Sequence, residues 1–175
     1  MTREPPDASE TLSLAVVFGL VSVPWTYAFV AELSLPLWPS FIAAATFYAA
    51  GGGLEGWRTG LAGNLAGIFY AAVTIGLVEG TLSGGVLALS LVVGGFMFLA
   101  SLHPFVPPLA FAPAAFFGFA TLFGVHAGGE VAVLAGLSGE VLAAAFAMVI
   151  GSAIGYGTEN LSNRMARSPA VPIGS

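Results

Sequence analysis

Six apolar runs follow one another along the chain, at about 12–30, 38–54, 57–78, 82–102, 105–125 and 131–156. Each is close to the ~20 residues that an α-helix needs to cross a bilayer. Together they leave too little polar chain to cover a water-facing core. Charged residues make up 7% of the 175 residues, and apolar types 57%. Soluble domains carry roughly 25% charged residues, so a free soluble enzyme and a basic nucleic-acid binder are both excluded. The runs are continuous, not alternating, which argues for helices over a barrel. With no cysteine, a disulfide scaffold and a thiolate metal site are also excluded. The expected fold is all-α and integral to the membrane, with six transmembrane helices. Residues 1–10 are polar, hold Pro5 and Pro6 and lack a cleavage pattern, so they read as a disordered tail and not a signal peptide. Residues 11–160 form the membrane domain, and 161–175 a second tail.

The basic residues set an orientation. There are four arginines, Arg3, Arg58, Arg164 and Arg167, and no lysine. Six spans put all four on one face, which the positive-inside rule makes cytoplasmic. Both termini would then be cytoplasmic, in a multi-pass protein of a prokaryotic inner membrane. The acidic balance, with a net charge of -5, and the lack of lysine fit a salt-adapted source.

Three stretches recur in order. Thr11-Leu12-Ser13 returns as Thr81-Leu82-Ser83. Ala43-Ala44-Ala45-Thr46-Phe47-Tyr48 resembles Ala112-Pro113-Ala114-Ala115-Phe116-Phe117. Gly60-Leu61-Ala62-Gly63-Asn64-Leu65 resembles Gly136-Leu137-Ser138-Gly139-Glu140-Val141. The offsets are 70, 69 and 76. The reading is a duplication, with repeat one at about 11–79 and repeat two at about 81–157. Three spans per unit invert the second unit across the membrane plane, a plan common in transporters.

Some of these segments resemble a known family. Phe47-Tyr48-Ala49-Ala50-Gly51-Gly52-Gly53-Leu54-Glu55-Gly56 looks like its Tyr-Phe-Ala and Gly-Gly-Leu-x-Gly segment. Phe105-Val106-Pro107 and the stretch from Gly118 to Gly124 look like its fifth segment. Ile154-Gly155-Tyr156 followed by Asn160 looks like its closing motif. The chain thus resembles, over about 12–160, the YcdZ-like group of small bacterial inner-membrane proteins of unknown function. Pro108 and Pro113 depart from that pattern. The resemblance implies a membrane location and a span count, and it brings no catalytic or binding residues.

An ionisable group inside a span is a functional candidate because insertion there is costly. Glu140 is that candidate. If span six starts near Val131, Glu140 is embedded and faces the small residues Gly136, Ala143 and Ala147. If it starts at Leu137, Glu140 lies in the first turn, favoured by the helix dipole with Ser138 as cap. Asn64 matches Glu140 in the first half, and the two could line one polar path. Thr46, Tyr48, Tyr70 and Thr74 offer further hydroxyls to a solute, or bond to neighbouring helices. Gly51, Gly52 and Gly53, with Pro113 and Gly118, are the expected helix breaks, and such breaks can expose backbone groups to a solute. Close packing is the plainer use of glycine, as in Gly63-x-x-x-Gly67, Gly76-x-x-x-Gly80 and Gly151-x-x-x-Gly155, and small-residue faces could also join copies into a homo-oligomer. Trp38 and Trp57 read as interfacial belt residues, and Pro24 as a kink in span one. His103 and His126 fall at opposite ends, which argues against a shared metal. No metal site, cofactor or nucleic-acid partner is expected. Gly136-Leu137-Ser138-Gly139 faintly resembles the serine segment of rhomboid proteases, but no histidine follows Ser138 on a later span, so no enzyme activity is expected.

The expectation is a channel or facilitator for a small uncharged polar solute of urea size, with the lipid bilayer and that solute as partners. Two other readings stay open. One is proton-coupled secondary transport through Glu140. The other is a non-transporting structural or accessory subunit.

Overall fold

A computed structural model describes residues 8–82, 85–129 and 136–167. Six α-helices form it: α1 (Ala8–Tyr27), α2 (Trp38–Ala49), α3 (Gly53–Gly80), α4 (Val86–Ser101), α5 (Pro113–Gly128) and α6 (Leu137–Arg167). A π-helical turn, Ala28–Glu32, extends α1, and two 3₁₀ turns, His103–Phe105 and Pro107–Leu109, lead from α4 towards α5. No strand occurs among the described residues.

The six helices fall into two kinds. Four segments are long and apolar enough to cross a membrane: Ala8–Glu32, Gly53–Gly80, Val86–Phe105 and Leu137–Arg167. The other two are short. At ~1.5 Å per residue α2 spans about 18 Å and α5 about 24 Å, against a hydrocarbon core of ~30 Å. α5 follows an irregular stretch that uses up the first residues of its apolar run, whereas α2 starts with its run and stops short of the run's end. Prolines sit where each begins, Pro39 in α2 and Pro113 at the first position of α5. There the missing N–H costs nothing and the fixed φ suits a helix start. Pro113 therefore opens α5 and does not break it. Gly51, Gly52 and Gly53 do end α2, with φ of 101°, 70° and 61°, a left-handed run open only to glycine without strain.

α3 and α6 run through the centre. α5 packs most extensively on α3, and α2 on α6, while α1 and α4 flank the assembly on α6 and α3 respectively. Glycine makes the two inner contacts. A Cβ on Gly67 would overlap the Ala115 carbonyl oxygen and sit 2.7 Å from the Phe119 nitrogen, and one on Gly118 would overlap the Asn64 carbonyl oxygen. On the other side a Cβ on Gly151 would overlap the Ser40 carbonyl oxygen, and one on Gly155 would lie 3.0 Å from the Phe47 ring. Gly118 is thus a packing glycine and not a helix break. Aromatic groups seal α1 to α2: the buried Trp25 stacks on Phe41 at 4.2 Å and donates its indole N–H to Ser40 Oγ at 3.0 Å.

Two tail expectations are corrected. Residues 8–10 are the first turn of α1, and residues 161–167 continue α6. Both ends are held by one another, since Val16, Val17 and Leu20 share a groove with Leu161, Arg164 and Met165. The rest of both tails, Arg3, Ser83 of the first repeated motif and the start of run six at 131–135 lie outside the described residues.

Candidate functional site

Asn64 is the most deeply embedded amide. It lies twelve residues into α3, fully buried where α2, α3 and α5 meet. Thr46 of α2, also fully buried, approaches it, with Oγ1 3.5 Å from Asn64 Oδ1. The Thr46 hydroxyl has one proton and donates it to the Ile42 carbonyl at 2.8 Å. The contact with Asn64 is therefore weak, and Asn64 Nδ2 has no partner among the described residues. An orphaned buried amide costs about 1–3 kcal/mol. Ser152 Oγ on α6 is buried and unpartnered in the same way.

The other hydroxyl candidates go to helix contacts. Tyr48 reaches α6, sharing a hydrogen bond with Thr158 Oγ1 at 2.7 Å, while Thr158 donates to the Gly155 carbonyl at 2.8 Å. Tyr70 bonds His103 Nε2 at 2.9 Å and stacks on Phe96 at 5.0 Å, which ties α3 to the end of α4. Thr74 donates to the Tyr70 carbonyl in its own helix. Six residues at ~100° each turn Tyr70 well away from Asn64. Of the six sequence candidates, then, the structure brings together only Asn64 and Thr46.

Glu140 is far from that pair. α6 begins at Leu137, so Glu140 lies in its first turn. Its Oε2 is 2.7 Å from His126 Nδ1, and His126 Nε2 is 3.0 Å from Glu79 Oε1. Glu79 is fifteen residues along α3 from Asn64, about 22 Å of helix rise. The expected common path for Asn64 and Glu140 is therefore not formed. The sequence match that equated them joined the middle of one helix to the start of another.

At the opposite end the Gly-rich turn meets α6. Gly53 N–H donates to Glu159 Oε2 at 2.8 Å, so a carboxylate sits at the α3 N-terminus, where the helix dipole favours it. A side chain on Gly52 would overlap Glu159 Oε1. Beside it, Glu10, Thr11, Tyr48, Glu159, Ser162 and Asn163 line a cavity of about 240 Å³. Two segments singled out in the sequence, Phe47 to Gly56 and Ile154 to Asn160, thus converge here. Further cavities lie on the flanks, along α1 and along α4. Asn64 and Thr46 line none of these.

Sequence reasoning missed Glu159, Glu79 and the bonding of both histidines. Glu79 and both histidines sit at helix ends and Glu159 lies within α6, and chain position says little about which of these segments meet. No group of residues able to hold a metal occurs among the described residues.

The geometry defines an all-helical protein of membrane type, with a sealed polar crossing inside and ionisable groups at both ends. The family described as "Protein of unknown function (DUF1097)" matches residues 15–163, and the chain belongs to it. That span takes in all six helices apart from the first turns of α1 and the last residues of α6. Comparison with curated proteins and with solved structures finds no match.

Proposed function

We propose that the chain is a multi-pass protein of a prokaryotic inner membrane that passes a small uncharged polar solute, of urea size, between two inverted halves. One observation carries the reading: Asn64, fully buried among packed helices, keeps an amide nitrogen without a partner. Apolar packing would be cheaper there. A polar solute or water drawn between α2 and α3 would bond that nitrogen, with the Thr46 hydroxyl beside it. The described arrangement is closed at this point, so passage requires α2 to move away from α3.

Packing supports the inverted plan, in registers different from those of the sequence matches. α2 and α5 begin 75 residues apart, at Trp38 and Pro113, and α3 and α6 begin 84 apart, at Gly53 and Leu137. In those registers Gly67 against Ala115 and Gly151 against Ser40 are the same contact, and Thr46 corresponds to the buried Thr121. Each half lends its short helix to the long helix of the other. The start of α1 lies beside the end of α6, and Arg58, Arg164 and Arg167 belong to that end, which supports cytoplasmic termini. Gly63, Gly67, Gly151 and Gly155 are used inside the chain, whereas Gly94 and Gly95 on α4 face open space and would be the small-residue face for a homo-oligomer.

The test is solute efflux from liposomes by stopped-flow light scattering. Wild type should release urea or glycerol faster than empty vesicles, and Asn64→Leu should lose most of that excess. No excess flux from wild type for any small polar solute overturns the reading and favours a non-transporting subunit. Proton-coupled transport through Glu140 makes a different prediction, uptake against a gradient that Glu140→Gln abolishes.

A further inference from the structure

Three helix ends meet at one imidazole. His126 closes α5, Glu79 is in the last turn of α3, and Glu140 is in the first turn of α6. Both ring nitrogens face carboxylate oxygens, Nδ1 at 2.7 Å and Nε2 at 3.0 Å. A carboxylate only accepts, and a neutral imidazole has one N–H. Both bonds can be made only if the cluster holds an additional proton, which makes the ring an imidazolium or one carboxyl an acid.

We infer that Glu79, His126 and Glu140 form a proton-operated clamp that joins the ends of α3, α5 and α6 when protonated and releases them when the proton leaves. The clamp is independent of the solute path proposed above, and stands or falls without it.

The surroundings leave the three groups to themselves. On α3 the other titratable residues, Glu55, Arg58 and Tyr70, precede Glu79 by nine residues or more. On α6 Tyr156, Glu159, Arg164 and Arg167 follow Glu140 by sixteen or more. α4 carries none, and the only one on α2 is Tyr48, near its far end. Glu130 lies outside the described residues. His126 lies just past the apolar run that ends at Val125, and its side chain is 30% exposed, so protons reach it from water. The hydrogen bond to Glu140, then that to Glu79, hold its pKa above the ordinary 6.5. Gly129 (φ 61°), just past α5, and Gly136 (φ 82°), just before α6, hold left-handed conformations that favour glycine, and a Cβ on either would meet nothing within 4 Å. Few other contacts hold α5 to α6, since α5 packs chiefly on α3. Loss of one proton leaves a single N–H between two carboxylates, so one contact persists, the other sets lone pair against lone pair, and no cation bridges the two anions any longer.

The first test is ring-carbon NMR of histidine-labelled protein in lipid nanodiscs. The chain has two histidines, so wild type gives two titrations. One should have its midpoint above 6.5 and drop when Glu140 or Glu79 is changed to Gln. If both midpoints lie at or below 6.5 in wild type, the clamp is wrong, whatever the variants do. The second test reads its mechanical consequence. Spin labels at Thr81 and Leu142, both exposed, should give a short, narrow distance distribution at pH 6 and a longer or broader one at pH 9. In His126→Gln the distribution should match the wild-type pH 9 form at both pH values. A wild-type distribution unchanged between pH 6 and pH 9 overturns the clamp.

Discussion

The two inner helix crossings and the two outer helices use glycine in opposite ways. At the crossing of α3 with α5, and of α2 with α6, glycine lets one backbone touch another, and there is no room for a methyl group. On α1 and α4, Gly19, Gly94 and Gly95 face open space. Burial follows the same division. The most apolar window of Gly53–Gly80 is 44% buried and that of Leu137–Arg167 39%, against 17% for the segment containing α1 and 11% for that containing α4. Outer helices of this kind are apolar because lipid surrounds them, and inner ones because protein does. Hydropathy cannot separate the two, since α4 is the most apolar span and the least buried.

The largest effect that would sharpen this contrast comes from Gly67→Val or Gly151→Val. Each drives a branched side chain into a backbone carbonyl, and overpacking of that kind costs about 3 kcal/mol or more. Size-exclusion chromatography in mild detergent should show loss of the monodisperse peak. Next comes Glu159→Ala, which strips the α3 N-terminus of its carboxylate and should cost about 1.5 kcal/mol, read as a lowered melting temperature.

The clamp at the other end should show in the pH profile. His126 has its pKa raised by Glu140 and Glu79, so its stabilisation is fully present below about 6.5. It is lost as pH rises through the raised folded value. Wild type should therefore melt at a lower temperature at pH 9 than at pH 6, and His126→Gln should flatten that difference. The smallest effect is expected from Gly94→Ala or Gly19→Ala, within about 0.5 kcal/mol or slightly stabilising through helix propensity. An outer alanine as damaging as an inner valine would break the comparison.

Much of the architecture is legible in the one-dimensional pattern. Six apolar runs become six helices, and the glycine triplet 51–53 ends α2 where the run ends. Run length was a poorer guide to helix length. Run five begins at Phe105, but Pro107, Pro108 and Pro113 hold its first residues in 3₁₀ turns and delay α5 until Pro113. Glu140 had two readings, and the structure takes the one in which α6 starts at Leu137. Asn64 was visible as a polar residue on a small-residue stripe, and its burial follows from the close contact that Gly63 and Gly67 permit. The partners of Tyr70, His126 and Gly53 were not visible. They come from helices 33, 14 and 106 residues away, brought together by bundle topology and not by spacing. The sequence match sets Asn64 against Glu140, whereas the halves proposed above set Gly67 against Gly151, two glycines that each meet a backbone carbonyl oxygen.

The most direct test uses the absence of native cysteine. Single cysteines at Thr81, just past α3, and at Asn163, near the end of α6, are labelled in intact cells with a membrane-impermeant maleimide, before and after permeabilisation. The account predicts that Thr81→Cys reacts from outside, while Asn163→Cys reacts only once the membrane is opened. Labelling of both positions from the same side would contradict it, because the Gly53–Glu159 contact sets the start of α3 beside the last part of α6 and so puts Thr81 and Asn163 at opposite ends of the bundle.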